Sequence, residues 1–216
     1  MAEKKTTRSA TREQGDSVRG AFLAAGRRLF AEKGFDGVSV KELAQATGYN
    51  AALVNYHFKN KEGLYRECVM PLMGVGLATM ERTLRTPTSR QDFLTRFELF
   101  VEDFILSHLH HQDLCIILKR DSNTMVVRQL YREHFVQLHD HLRVFLKGAK
   151  KARIVRQDLD TEIAAQFVLS SVFQLVASDR MRAEVGQNCL LNKRSLAPTI
   201  RQVTACLLYG LVDCEE

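Results

Sequence analysis

Residues 39–58 read SVKELAQATGYNAALVNYHF, and this stretch decides the fold. Ser39 followed three residues later by Glu42 is a capping box: the hydroxyl takes an orphan amide of a new helix and the carboxylate reaches back to the cap's own N–H. A helix therefore starts near Val40, with Leu43 and Ala44 on its apolar side. Gly48 stands where the chain must leave that helix, a position that favours a residue free to take positive φ. Asn50 caps a second helix, Ala51 to His57, whose Leu53, Val54 and following Phe58 face inward. Ala51, Ala52, Asn55, Tyr56 and His57 are left as a small, polar and aromatic outer surface. Two short helices joined by a glycine-containing turn form a helix-turn-helix whose second helix suits a DNA major groove. The spacing by itself fits an ordinary helical hairpin in an all-α core equally well.

The wording of a longer stretch separates the two. Residues 29–65, LFAEKGFDGVSVKELAQATGYNAALVNYHFKNKEGLY, resemble the N-terminal domain of the TetR family of bacterial transcription regulators over about fifty residues. The marks are the Phe-Ala-Glu-Lys-Gly-Phe end of a first helix, the Ser39 cap and the Ala-x-x-x-Gly turn. Tyr56-His57-Phe58, Lys59 and the Lys61-Glu62 pair complete them. The resemblance implies an all-α chain: an N-terminal three-helix helix-turn-helix DNA-binding domain, then a larger helical ligand-binding and dimerisation domain. Its expected partners are a double-stranded DNA operator, a second copy of the chain forming a homodimer, and a small-molecule effector. Ser39, Lys41, Asn50, Ala51, Ala52, Asn55, Tyr56, His57, Lys59 and Lys61 are the expected DNA-binding residues. The chain departs from the family at Val38, where a threonine is frequent, and at Ala51 and Ala52, where lysine and glycine are frequent.

Charge follows the same division. Residues 1–61 hold eleven Lys and Arg against six Asp and Glu, while residues 62–216 hold twenty against nineteen, so five of the six net positive charges sit at the helix-turn-helix end. A polyanion is the partner this segregation fits. With 45% hydrophobic residues and three prolines in 216 residues, the chain can bury a substantial core. No run of about eighteen apolar residues occurs and the N-terminus is polar, so no membrane partner and a cytoplasmic location are expected. Five cysteines without a CxxC pair argue against a disulfide framework or a Cys-rich zinc site.

Residues 1–15 are basic and short of apolar residues and read as a flexible arm before a DNA-binding domain at 16–61. Val18, Phe22, Ala25 and Leu29 mark the first helix, from about Ser17 to Lys33. Asn60 caps a helix to about Leu84 that carries Leu64, Val69, Leu72 and Leu77, with Pro71 expected to kink it. This helix opens the regulatory and dimerisation domain, 62–216. Phe93, Phe97, Phe100 and Phe104 form one face of the next helix, and a short helix follows near Leu114 to Arg120. A longer one, about Thr124 to Lys147, has Tyr131, Phe135, Leu138, Leu142 and Phe145 as its buried stripe. Residues 148–160 read as a loop. Ile163 to about Ala183 is apolar almost all round, which requires cover on two sides, and Leu196 to Leu211 forms the last helix. In the family, the last two large helices pair with those of a second subunit.

The phenylalanine stripe reads either as core or as the wall of an apolar cavity. On the second reading Phe97, Phe100, Phe104, His108, Tyr131, His134 and Phe135 bind the effector, an apolar or aromatic molecule. His108, His111, His134 and His141 could instead gather a metal by their helical spacing, although no carboxylate or cysteine joins them at a recognised interval. Cys189, near Lys193 and Arg194, is a candidate redox thiol. There is no GxSxG, P-loop, GxGxxG or HExxH motif, so no catalytic residue, metal or cofactor is expected. The expectation is a ligand-responsive repressor that leaves a palindromic operator. Its rivals are a metal-responsive regulator acting through the histidines, a helical ligand-binding protein that ignores DNA, and a small helical enzyme.

Overall fold

Each apolar stripe in the sequence becomes a helix. The computed structural model describes residues 3–209, without the side chains of residues 3–14, 72, 112 and 180. The helices are α1 (Glu3–Lys33), α2 (Val40–Thr47), α3 (Ala52–Phe58), α4 (Lys61–Thr83), α5 (Arg90–His110), α6 (Gln112–Arg120) and α7 (Met125–Leu130). A π-helical turn, Tyr131–Phe135, leads into α8 (Val136–Lys151), followed by α9 (Thr161–Glu184) and α10 (Leu196–Tyr209). Among the described residues there is no strand. The chain divides into two compact units, Met1–Pro71 with Ile116–Gln129, and Leu72–Cys115 with Leu130–Glu216.

In the first unit Val18, Phe22, Ala25 and Leu29 of α1 are all buried, as their spacing predicts. Phe22 packs edge-on against Phe58 at 6.4 Å and meets Tyr49 at 6.2 Å, which seats both helices of the helix-turn-helix on α1. Burying such a ring stabilises by roughly 1.5–3 kcal/mol, more than a seven-residue helix could supply alone. The first helix begins at Glu3, so residues 3–15, read as an arm, continue α1. Proline is absent there and Glu, Lys, Arg, Ala and Gln are good helix formers. Residues 1 and 2 lie outside the description. Ile116–Gln129, read in the sequence as the end of one regulatory helix and the start of another, packs with this first unit.

In the second unit Phe93, Phe97, Phe100 and Phe104 are buried in one cluster with Leu138, Leu142, Phe145, Val168, Val172 and Val176. Phe93 stacks on Phe97 at 5.9 Å and on Phe145 at 5.2 Å. The helix expected over 124–147 is interrupted by the π-helical turn, and this changes one expectation. The wide turn rotates the segment before it by roughly a quarter turn relative to α8, so Tyr131, expected in the buried stripe, is 50% exposed while Leu138 and Leu142 are buried. Helix α8 also runs on to Lys151, into the stretch expected to be loop, because Lys150 donates to Leu159 O and Gln157 to Lys150 O across the bend.

Helix α9 buries Ala165, Val168, Val172 and Val176 but leaves Ile163 and Phe167 68% and 64% exposed, so only part of its apolar circumference is covered within one chain. Its length and composition would suffice to cross a membrane, yet its buried side packs against α5 and α8 and includes the carboxylate of Asp179. Leu211, expected at the end of the last helix, lies outside the described residues.

Candidate nucleic-acid interface

The local chemistry of residues 39–58 is the one the sequence predicts. Ser39 takes extended backbone angles, φ −98° and ψ 155°, and its Oγ accepts the amide of Glu42 at 3.2 Å. The Glu42 carboxylate in turn accepts the Ser39 amide at 2.8 Å. Glu42 is also bridged by Lys33 at 2.7 Å, tying the end of α1 to the start of α2. Lys33 first, then the Ser39 amide and hydroxyl, hold the Glu42 carboxyl down to about 2. Gly48 closes α2 at φ 73°, and its amide bonds Ala44 O. Asn50 Oδ1 accepts the Ala52 amide at 2.8 Å, while the helix itself begins one residue later than expected, at Ala52, with Ala51 in the N-cap position.

Helix α3 is two-sided. Val54 and Phe58 are buried, whereas Ala52, Asn55 and Tyr56 are exposed, Tyr56 to 81%. Ala51, Leu53 and His57 are half-buried, so Leu53 is less internal than its position suggested. The His57 ring stands perpendicular to that of Tyr56 at 4.9 Å and braces it. Lys41 on α2 and Lys59 just after α3 are exposed as well. Among the described residues, no hydrogen bond occupies the side chains of Lys41, Asn55, Tyr56 or Lys59, so their donors and acceptors face solvent. Such a helix can lie in a major groove, presenting an amide to base edges while lysines and a phenol meet phosphate.

Two expected DNA-binding residues have structural employment. Ser39 spends its hydroxyl on the capping box. The Lys61 ammonium donates to Phe35 O and Val38 O, both at 2.9 Å, and lies 4.3 Å over the Phe35 ring. A lysine placed to satisfy two loop carbonyls gains more there than at an exposed phosphate site.

The pattern of residues 22–68 matches a known family, described as "Bacterial regulatory proteins, tetR family". Residues 22–68 thus carry the N-terminal DNA-binding domain of the TetR family. Such regulators bind DNA to control transcription and are not enzymes. Over 160 residues the chain is 24% identical to the HTH-type transcriptional regulator AcrR of Shigella flexneri, covering 72% of this chain and 74% of that one. It is 38% identical over 56 residues to the HTH-type transcriptional repressor AcnR of Corynebacterium efficiens, covering 26% and 30%. In three dimensions it is similar to the transcriptional regulator FadR from Bacillus subtilis, solved with stearoyl-CoA. That likeness has a TM-score of 0.68 and 18% identity and covers 88% of this chain and 97% of that one. As in the TetR family at large, the helix-turn-helix is followed by a helical second part.

The residues expected to line an effector cavity fall into two groups of the second unit. Phe97, Phe100, Phe104 and His108 form a continuous row, with ring separations of 6.2, 5.4 and 4.2 Å along it. His108 is buried, bonds Phe104 O through Nδ1 at 2.7 Å and meets Phe173 edge-on at 6.0 Å. Burial pushes it down to about 4, so it is a neutral imidazole at ordinary pH. Tyr131 and Phe135 stack at 5.2 Å within the π-helical turn, with His134 half-buried between them in sequence. The histidines do not gather as a metal site. His139 turns to Glu162, His141 bonds Gln137 O, and among the described residues no three His, Cys, Asp or Glu side chains converge on a metal-sized space. Cys68 and Cys115 are buried thiols pushed up to about 12 by desolvation.

The sequence reading missed Asp121, Tyr65 and Arg120, which surround the turn before α2. Nothing in their spacing connects residue 121 with residue 35; only the fold does.

Proposed function

We propose that the chain is a cytoplasmic, homodimeric repressor that occupies a palindromic operator through two copies of α3 and leaves it when a small, largely apolar molecule enters the second unit. One observation carries the DNA half: the outer face of α3, with Asn55 and Tyr56 exposed and unoccupied, opposite a buried Val54 and Phe58. Residues 16–61 would be the operator-binding domain and residues 62–216 the regulatory and dimerisation domain, with any phosphate contacts of residues 3–15 made by the first part of α1. The stearoyl-CoA held by the FadR relative and the repressor name of the AcnR relative support the effector class and the sign of regulation.

Dimerisation is supported by the exposed edge of α9. Ile163 and Phe167 line a hollow with His139, Glu162, Gln166 and Ser170, and a second with Leu159, Cys206 and Leu207. A second copy is the occupant that makes a palindrome legible, since two recognition helices must reach successive major grooves about 34 Å apart. An effector would act by favouring a conformer in which that spacing is wrong.

The test is competition. Fatty acids, acyl-CoA thioesters and aromatic compounds, with divalent metals as a separate arm, are screened for release of a fluorescent operator duplex. Release by an apolar compound is the expected result. Release by metal alone, or by none of these classes, contradicts the effector reading while leaving operator binding to be scored by itself.

A further inference from the structure

The turn between α1 and α2, residues 34–38, is held from a distant part of the chain. Asp121, at the end of α6, is 5% exposed, and its two carboxylate oxygens accept the Phe35 amide at 3.1 and 3.0 Å. Among the described residues no Lys, Arg or His reaches Asp121 within ion-pair distance. A buried carboxylate without a counter-ion is costly, and a charge-assisted bond to a backbone amide is the compensation this one has.

Gly34 shows that the fit is specific. Its φ of +74° suits glycine, and a Cβ there would lie 2.8 Å from Asp121 Oδ1, inside contact distance. The neighbouring Arg120 donates to Ala31 O, at the end of α1, at 2.6 Å. Thr124 fixes Asp121 from behind, bonding its carbonyl through both the amide and Oγ1. Phe35 is thus held at three points: its carbonyl by Lys61, its ring edge-on by Tyr65 at 5.1 Å, and its amide by Asp121. Of the three, only the amide is held from outside residues 1–71.

We propose that Asp121 is a positioning residue for operator recognition: by holding the Phe35 amide it sets the α1–α2 turn, and through the Ser39 cap the orientation of α2 and α3. The proposal rests on reading α3 as the recognition helix. Three residues separate Phe35 from the cap, so a shift of the turn is passed to α2 with little slack. The segment bearing Asp121 is covalently continuous at both ends with the second unit, at Cys115 and at Leu130, so rearrangement there pulls on the turn through Asp121.

The experiment uses the full chain, a duplex selected from a random pool, and the variants Asp121→Ala and Asp121→Asn. Operator affinity is measured well below the melting temperature, with the active fraction counted by stoichiometric titration and Phe35 amide exchange followed in parallel. Asp121→Ala is expected to weaken binding roughly tenfold to a hundredfold at an unchanged active fraction, the size of one or two charge-assisted hydrogen bonds. Asp121→Asn, which keeps an acceptor, should fall between, and both should speed exchange at Phe35. The salt slope should not change, because Asp121 touches no phosphate. Should Asp121→Ala fail to fold, Asp121→Asn carries the test, and wild-type affinity despite faster exchange at Phe35 overturns the proposal. So does wild-type affinity in Asp121→Ala, or a loss equal to its inactive fraction. A wild-type chain that selects no duplex overturns instead the reading of α3 on which the proposal rests.

Discussion

Lys61 donates its ammonium to the carbonyl of Phe35 at 2.9 Å and lays it 4.3 Å over the ring of the same residue. Replacing Lys61 by Met should lower unfolding stability by about 1–3 kcal/mol, since two loop carbonyls lose a charged donor. The dependence of operator affinity on salt should be nearly unchanged. Lys59→Met, by contrast, should reduce the log–log salt slope by about 0.9 if Lys59 meets one phosphate. Equal slopes in Lys59→Met and wild type, with a reduced slope in Lys61→Met, would exchange the two roles.

Glu42 makes the helix-turn-helix acid-sensitive. Its folded carboxyl is held down to about 2 by Lys33 and Ser39, below the ordinary carboxylate value of about 4.3. A depressed folded value stabilises above the unfolded value and loses that stabilisation as pH falls through the folded one. Melting temperature should therefore drop between about pH 4.5 and pH 2, and Glu42→Gln should remove part of that drop. A pH profile of Glu42→Gln parallel to wild type over that window would show that the bridge contributes nothing.

Tyr65 is fully buried and its hydroxyl meets no partner within hydrogen-bond geometry, although Asp121 lies beside it. Burial first, and the Asp121 carboxylate second, push its ionisation well above the ordinary tyrosine range. An unsatisfied buried hydroxyl costs free energy, so Tyr65→Phe should be neutral or stabilising by roughly 1 kcal/mol in denaturant unfolding. A loss of that size would reveal a hydrogen bond to Asp121 in solution.

Phe167 projects from α9 at 64% exposure beside Ile163. Phe167→Asp should yield monomers by analytical ultracentrifugation and lower operator affinity, with a melting temperature that no longer rises with protein concentration, because the ring stabilises only through the dimer. An unaltered dimer would move the interface away from this edge.

Much of the fold was legible because it is written locally. The capping box, Gly48 and the Val18–Phe22–Ala25–Leu29 stripe each rest on residues within one or two helical turns, and each occurs where expected. Tyr131 was misjudged because a π-helical turn leaves no mark in apolar spacing; the stripe looks continuous, yet the register changes at residue 131. The intramolecular contacts of Lys61 were hidden for a related reason, since charge in a sequence does not say whether an ammonium faces solvent or two carbonyls 23 and 26 residues away. Asp121 lay furthest from view: its partner is 86 residues upstream.

Base reading by α3 is tested most directly by in vitro selection of duplexes from a random pool, with wild type and with Asn55→Ala. Wild type should enrich a palindrome whose half-sites lie about one helical turn, or a multiple of it, apart. Asn55→Ala should retain that spacing and lose roughly 1–3 kcal/mol of discrimination at one or two base pairs in each half, adenine being the base an asparagine amide pairs with. No enrichment by wild type, or an identical site from a variant with both Asn55 and Tyr56 replaced by Ala, would contradict it.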